Sequence, residues 1–313
     1  YMHNSKYKLA NEKINEVLNQ TEKTDLTNYI RILMEASEIK SRIGEYNTVL
    51  ENYIWIKKKL NTIYEKNDLS KKEHEIERLI AKTYSYMGDY KKAIENYKKI
   101  LNINGDEVIQ LEQNKEILTI DELNFYNDLS NTYSNNNEFE KALKIKEKLL
   151  EIYTEILGEN HPWTLNVKND IGMINSHQKN YEEAIKILKE TYEARKQVLG
   201  EEHLSTIATL NNLAIVKVFY ADGLTDELKK KEIYTDSLLQ LETVYKIRKS
   251  NLGENHPSTL RTLFNISKNL KELGRKQEAL EIAQKLYEYR KNTLGEENSE
   301  TLKTQKLIDE INS

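Results

Sequence analysis

Apolar residues recur along this chain at the three- and four-residue spacing of an amphipathic α-helix, in segments separated by short polar joints. Leu165 and Ile171 mark one segment, Ala184, Ile187 and Leu188 mark the next, and Gln178, Lys179 and Asn180 form the joint between them. The pattern predicts paired helices and essentially no β-sheet.

A nine-residue phrase punctuates this pattern. LGENHPWTL at 157–165 returns as LGEEHLSTI at 199–207, as LGENHPSTL at 252–260 and, in worn form, as LGEENSETL at 294–302. The copies start 42, 53 and 42 residues apart, so the middle interval carries 11 extra residues. A fixed period of this length is the mark of stacked supersecondary units. The phrase itself reads as a turn: one helix closes at Leu-Gly, and the proline after His161 and His256 suits the first turn of the next.

The second helix of each unit opens with an aromatic residue followed three places later by a small or β-branched one. The pairs are Tyr7/Ala10, Tyr46/Val49, Tyr90/Ala93, Phe139/Ala142, Tyr181/Ala184 and Tyr234/Ser237, with Lys276/Ala279 lacking the aromatic. Seven hairpins follow, the first without its opening helix. Gly44, Gly88 and Gly274 fall at the joints, where a positive φ is inexpensive for glycine. The 11 extra residues lie near 222–233 and begin with a break at Asp222 and Gly223. They are expected to lengthen one hairpin, built from helices around 204–221 and 225–251, by about three turns. A final segment at about 298–312, polar on one side, is expected to cap the array. The chain starts at Tyr1, inside what reads as a helix, so a longer parent protein is expected.

These features resemble the tetratricopeptide repeat. LGENHPxTL together with the run TLNNLA, Thr209 to Ala214, is similar to its kinesin-light-chain-like branch. The resemblance is specific over about 115–302 and looser over 1–114. It implies an all-α fold, a right-handed α-solenoid of about seven helical hairpins forming a single domain over 1–313. In such a solenoid the first helix of each hairpin, helix A, lines a concave groove and helix B forms the outer wall. Asn175, Lys217 and Leu270 depart from the family pattern, standing where it often has the tyrosine kept here at Tyr84 and Tyr133.

Composition narrows the chemistry. Only 10 glycines and 2 prolines interrupt 313 residues, of which 31% are charged and 38% hydrophobic, a balance that favours helix and supports a continuous core. The net charge of −4 creates no global field for nucleic acid or an acidic membrane surface. The basic stretches WIKKKLNTIY at 55–64 and ELKKKE at 227–232 read as solvated faces. The absence of cysteine removes disulfides, thiolate nucleophiles and Cys-ligated zinc, and fits a reducing, cytoplasmic setting. No apolar run approaches the ~18 residues of a membrane span.

His161, His203 and His256 recur with the repeat and are expected to be structural. His3, His74 and His177 have no metal-ligand spacing, and no phosphate-cradling glycine loop or nucleophile elbow occurs. No cofactor and no catalytic residue are therefore expected.

What stands out is a column of asparagines. Aligned by period, the helix A segments place Asn127, Asn169 and Asn211 in register, with Phe264 as fourth member, and one position later come Asp128, Asp170, Asn212 and Asn265. Asparagine inside a helix costs several tenths of a kcal/mol against alanine, so its repetition asks for a reason. The second column suits hydrogen bonds between neighbouring helices. For the first, the resemblance implies exposure in the groove, and further groove-facing positions would add Arg78, Lys82, Asn131, Asn166, His177, Arg261 and Lys268. The sequence thus points to a non-catalytic scaffold that binds a protein or peptide segment. The alternative is the sensor half of a larger enzyme, such as a protease or nucleotide-switch protein, whose catalytic domain lies elsewhere.

Overall fold

The computed structural model describes residues 2–20, 25–64, 66–114 and 118–313, and these hold fifteen α-helices and no strand. They are α1 (Met2–Gln20), α2 (Leu26–Ile43), α3 (Tyr46–Leu60), α4 (Lys66–Tyr86), α5 (Tyr90–Ile100), α6 (Glu107–Asn114), α7 (Ile120–Asn135) and α8 (Phe139–Leu157), followed by α9 (Pro162–His177), α10 (Tyr181–Leu199), α11 (Leu204–Asp222), α12 (Glu227–Leu252), α13 (Pro257–Glu272), α14 (Lys276–Leu294) and α15 (Ser299–Asn312). The fold is an all-α solenoid of helical hairpins, and its contacts divide it into two compact units, 2–152 and 153–313. The side chains of His3 and Tyr7 lie outside the described residues.

In the first unit α1 to α5 pack each on the next around Ile30, Leu33, Val49, Ile56 and Ile80. In the second, α9 to α15 pack in chain order, and each helix A also touches the following helix A, α9 with α11, α11 with α13 and α13 with α15. Leu238, Leu241, Ile266, Leu270 and Ile311 form the largest part of that core.

The small-residue column explains how closely the helices approach. Val49, Ala93, Ala142, Ala184, Ser237 and Ala279 are all fully buried. Across the hairpins, Ser130 Oγ donates to the Ala142 carbonyl at 2.9 Å and Ser267 Oγ to the Ala279 carbonyl at 2.7 Å, so a side chain on one helix reaches the backbone of the other. At Gly172 even a methyl group would lie 2.7 Å from Leu188 Cγ.

The repeated phrase is a backbone device. Gly158, Gly200, Gly253 and Gly295 all have φ of +92° or +93°, and ψ near 160° places the last three in a region essentially closed to other residues. His161, His203 and His256 cap the next helix, each accepting through Nδ1 the N–H of the residue two further on at 3.1–3.2 Å. In the worn copy Asn298 Oδ1 does the same for Glu300 at 2.9 Å. Thr164 and Thr259, fully buried, tie the turn shut by donating to the carbonyls of Gly158 and Gly253.

The joints between helices A and B are less demanding. Gly44, Gly88, Asn137, Lys179 and Gly274 all take positive φ and share one hydrogen-bond pattern, in which the N–H of the following residue reaches back five residues, as Glu45 does to Lys40 and Asn180 to Asn175. Two of the five are not glycine.

The extra residues fall in the α11–α12 hairpin. α11 has 19 residues where α9 has 16, α12 has 26 where α10 has 19, and the turn at 223–226 is one residue longer than that at 178–180, which accounts for the eleven. Tyr234 sits two turns inside α12 and donates its hydroxyl to Asp222 Oδ1 at 2.5 Å.

Two findings correct the sequence reading. α6 was not anticipated: it is hidden in the 49-residue step between Tyr90 and Phe139, and is held by buried Leu111 and by Glu107, which accepts from Tyr133 Oη at 2.5 Å and Lys98 Nζ at 2.6 Å. And among the described residues one helix, α11, is long and apolar enough by composition to cross a membrane, with mean hydropathy 1.3, although Asn211, Asn212 and Lys217 interrupt it. Ten of its residues are buried against neighbouring helices, which is why it is so apolar.

Candidate functional site

The candidate residues fall on helices A of both units. In the first unit Arg78 and Lys82 lie on α4, and Asn127 and Asn131 on α7. Arg78 Nε donates to buried Asp128 at 2.6 Å, its guanidinium lies 5.4 Å from the Phe125 ring, and Lys82 stands 4.0 Å from the same carboxylate. Asp128, in the second column, therefore joins two helices A. Asn127 accepts at 2.6 Å from Lys146 Nζ, a lysine wholly buried on α8.

In the second unit Asn166, Asn169 and His177 lie on α9, Asn211 on α11, and Arg261, Phe264 and Lys268 on α13. Asn169 Oδ1 accepts from Asn212 Nδ2 at 3.2 Å, so here too the second column bridges neighbouring A helices. Asn166, His177 and Arg261 are exposed, and Asn169, Phe264 and Lys268 are half-buried. Asn211 corrects the expectation of groove exposure: it is 3% exposed, because its Oδ1 accepts from a buried arginine, Arg248, at 3.1 Å.

Arg248 belongs to a set that the sequence reading missed. Arg195, Arg248 and Arg290 stand on successive helices B, each 3–6% exposed. Each donates to a carbonyl in the first turn of the next helix A and to the threonine one turn on: Ser205 and Thr209, Ser258 and Thr262, Glu300 and Thr304. Each also reaches its own helix A, where Arg195 donates to Asn166, Arg248 to Asn211, and Arg290 stacks 5.6 Å from the Phe264 ring. The signal was present in the spacing, since each arginine precedes the phrase glycine by five residues. Burial lowers the pKa of all three. Asp170 opposes this at Arg195 and Glu300 at Arg290, whereas Arg261 adds to it at Arg248, which is pushed down to about 10.

The arrangement anchors polar side chains on the A-helix faces: a cation from helix B, or an asparagine from the next helix A, holds the carboxamide oxygen and leaves the NH2 group as a donor. Among the described residues no three His, Cys, Asp or Glu side chains are gathered to hold a metal ion.

A stack of such hairpins defines a helical repeat protein. Tetratricopeptide repeat models match residues 121–197, 165–223 and 230–292, more than half of the chain, and a further one matches 79–107. The chain belongs to the tetratricopeptide repeat family. No curated protein sequence matches it significantly. Solved structures share its fold. The kinesin light chain TPR-like repeats of Podosopora anserina are 19% identical, over 70% of this chain and 94% of that one, with a TM-score of 0.53. BtubC (BKLC) from P. vanneervenii is 18% identical, over 79% and 91%, with a TM-score of 0.57. A Rap protein complexed with competence and sporulation factor is 12% identical, over 96% and 79%, with a TM-score of 0.53.

Proposed function

We propose that the A-helix faces bind an extended segment of a protein or peptide partner, and that the chain is a scaffold and not a catalyst. The observation that carries this is the anchored asparagines. Asn127, Asn166 and Asn169 each have the oxygen engaged and a primary amide left to donate to the backbone carbonyls that any extended peptide offers. Neighbouring helices pack roughly 8–10 Å apart and an extended chain advances about 3.3 Å per residue, so successive A helices meet about every third residue. Asn131, His177 and Phe264 add contact surface, and Arg78, Lys82, Arg261 and Lys268 supply cations for carboxylates of the ligand. Asn211, buried against Arg248, supports the face from within. The Rap protein of similar fold, crystallised in complex with competence and sporulation factor, supports this reading.

The test is affinity for peptides selected by display against the whole chain. Within the second unit, Asn166→Ala with Asn169→Ala removes two donors worth about 0.5–1.5 kcal/mol each and should weaken binding at least about fivefold, with folding checked by circular dichroism. Unchanged affinity in the folded double variant would mean that these asparagines only hold helices together.

A further inference from the structure

Two adjacent hairpins place polar residues where their neighbours are apolar. Asn269 on α13 occupies the position of Ile174 on α9, Val216 on α11 and Ile311 on α15, and Ser237 on α12 occupies that of Ala184 and Ala279. Both are fully buried, and they touch: Asn269 Nδ2 donates to Ser237 Oγ at 3.0 Å, and Ser237 Oγ donates to the Ala214 carbonyl at 2.9 Å. This relay fixes the amide. Because the serine proton is committed to a carbonyl, Oγ can only accept from Asn269, and it is the NH2 group that must face it. Asn269 Oδ1 is left buried without a hydrogen-bond partner among the described residues. A buried acceptor in that state is costly, and the apolar residues at the equivalent positions show that the fold does not need it.

Asn269 lines a cavity of about 50 Å³ between α11, α12 and α13. Ile215, Val218 and Leu241 form its apolar wall. Phe219, 39% exposed, and half-buried Asn265 and Lys268 complete the lining towards the surface, with the Lys268 ammonium 5.6 Å from the Phe219 ring. At about 10–15 Å³ per water-sized atom the cavity has room for three or four non-hydrogen atoms. An ammonium is repelled by Lys268, and a carboxylate brings no proton to Oδ1.

We propose that this cavity is a side-chain subsite for a short hydroxyl-bearing group, a serine or threonine of the bound segment, whose O–H is donated to Asn269 Oδ1. Its carbon atoms lie against Ile215, Val218 and Leu241. The proposal rests on the reading that the A-helix faces bind a peptide, and it names one side chain of that peptide.

Two measurements on the whole chain test it. In the first, 2-propanol and acetone, alike in skeleton but only one a donor, are titrated while NMR follows the Leu241 methyls and the Asn269 side-chain amide. The expected result is binding of 2-propanol at least about fivefold tighter than acetone, the worth of one hydrogen bond. The advantage should vanish in Asn269→Val with Ser237→Ala, which restores residues that neighbouring hairpins already use. Equal affinities, no response to either probe because the cavity holds water only, or an advantage that survives in the variant would each overturn the subsite. In the second, peptides displayed against wild type should share a serine or threonine at one fixed position, and lose it against the variant. Peptides selected without that position overturn the subsite and leave groove binding intact. If no peptide is selected while 2-propanol still prefers the cavity, groove binding fails and a hydroxyl-accepting pocket remains.

Discussion

Replacing Gly253 by alanine asks whether the repeated phrase is held by its backbone. Its φ of +92° and ψ of 158° are open to glycine alone, and no atom lies within 4 Å of where a Cβ would stand, so any cost is conformational and not a clash. Strain of this kind costs about 1–3 kcal/mol. Alanine recovers about 0.4–1 kcal/mol by restricting the unfolded chain, leaving a net loss of about 1–2 kcal/mol. The control is Gly274→Asn at the A-to-B joint, where φ is +74° and where Asn137 already occupies the equivalent place at +62°; it should cost under about 0.5 kcal/mol, because asparagine tolerates the left-handed region. Urea unfolding followed by circular dichroism gives the totals, and amide exchange in the first turn of α13 should quicken by roughly tenfold only at Gly253→Ala. Asparagine at 253 should be no better than alanine. Equal stabilities for Gly253→Ala and Gly274→Asn, or full recovery by Gly253→Asn, would refute the argument.

Three further outcomes are expected. Arg195→Met strips the bonds to the Ser205 carbonyl, Thr209 and Asn166 and should cost about 2–3 kcal/mol, and Arg195→Lys should not rescue it, since one ammonium cannot span the partners of a guanidinium fork; both are read from urea midpoints. His203→Ala should lose about 1 kcal/mol of helix capping while His203→Asn stays near wild type, as Asn298 does the same work in the fourth phrase; thermal melts decide. At Glu107 burial pushes the carboxyl up, but hydrogen bonds from Lys98 and Tyr133 outweigh it and hold the group below its ordinary 4.5. The carboxylate therefore stabilises the fold above that value and ceases to do so as pH falls through the lower folded value. Glu107→Gln should flatten the loss of stability as pH falls below about 4.5.

The hairpins were legible because their signals are local. Helical spacing, the nine-residue phrase and the small residue at each helix contact, from Val49 to Ala279, can all be read within a few residues, and each is fulfilled by packing against the next element in the chain. The buried arginines were not, because a lone arginine on a helix reads as solvated and its partners lie 10 to 37 residues away. Asn211 was misjudged for the same reason: its burial is set by Arg248 on another helix. Asn269 could not be singled out, since the cost of a bare carbonyl oxygen becomes visible only once Ser237 and Ala214 are seen to fix the amide.

The contrast between the two kinds of turn bears on how such a chain can grow. The helix-B-to-helix-A turn fixes a glycine conformation, a cap and, at Thr164 and Thr259, a threonine tie within nine residues, so a residue added there breaks several constraints at once. The A-to-B joint asks at most for one positive φ, none at 223–226, and in the α11–α12 hairpin eleven residues were accommodated there while the next phrase kept its length. Insertions are thus admissible along one edge of the array and excluded from the other, and the turn at 223–226 is the place where a tag or a whole inserted domain can be carried without disturbing the stack.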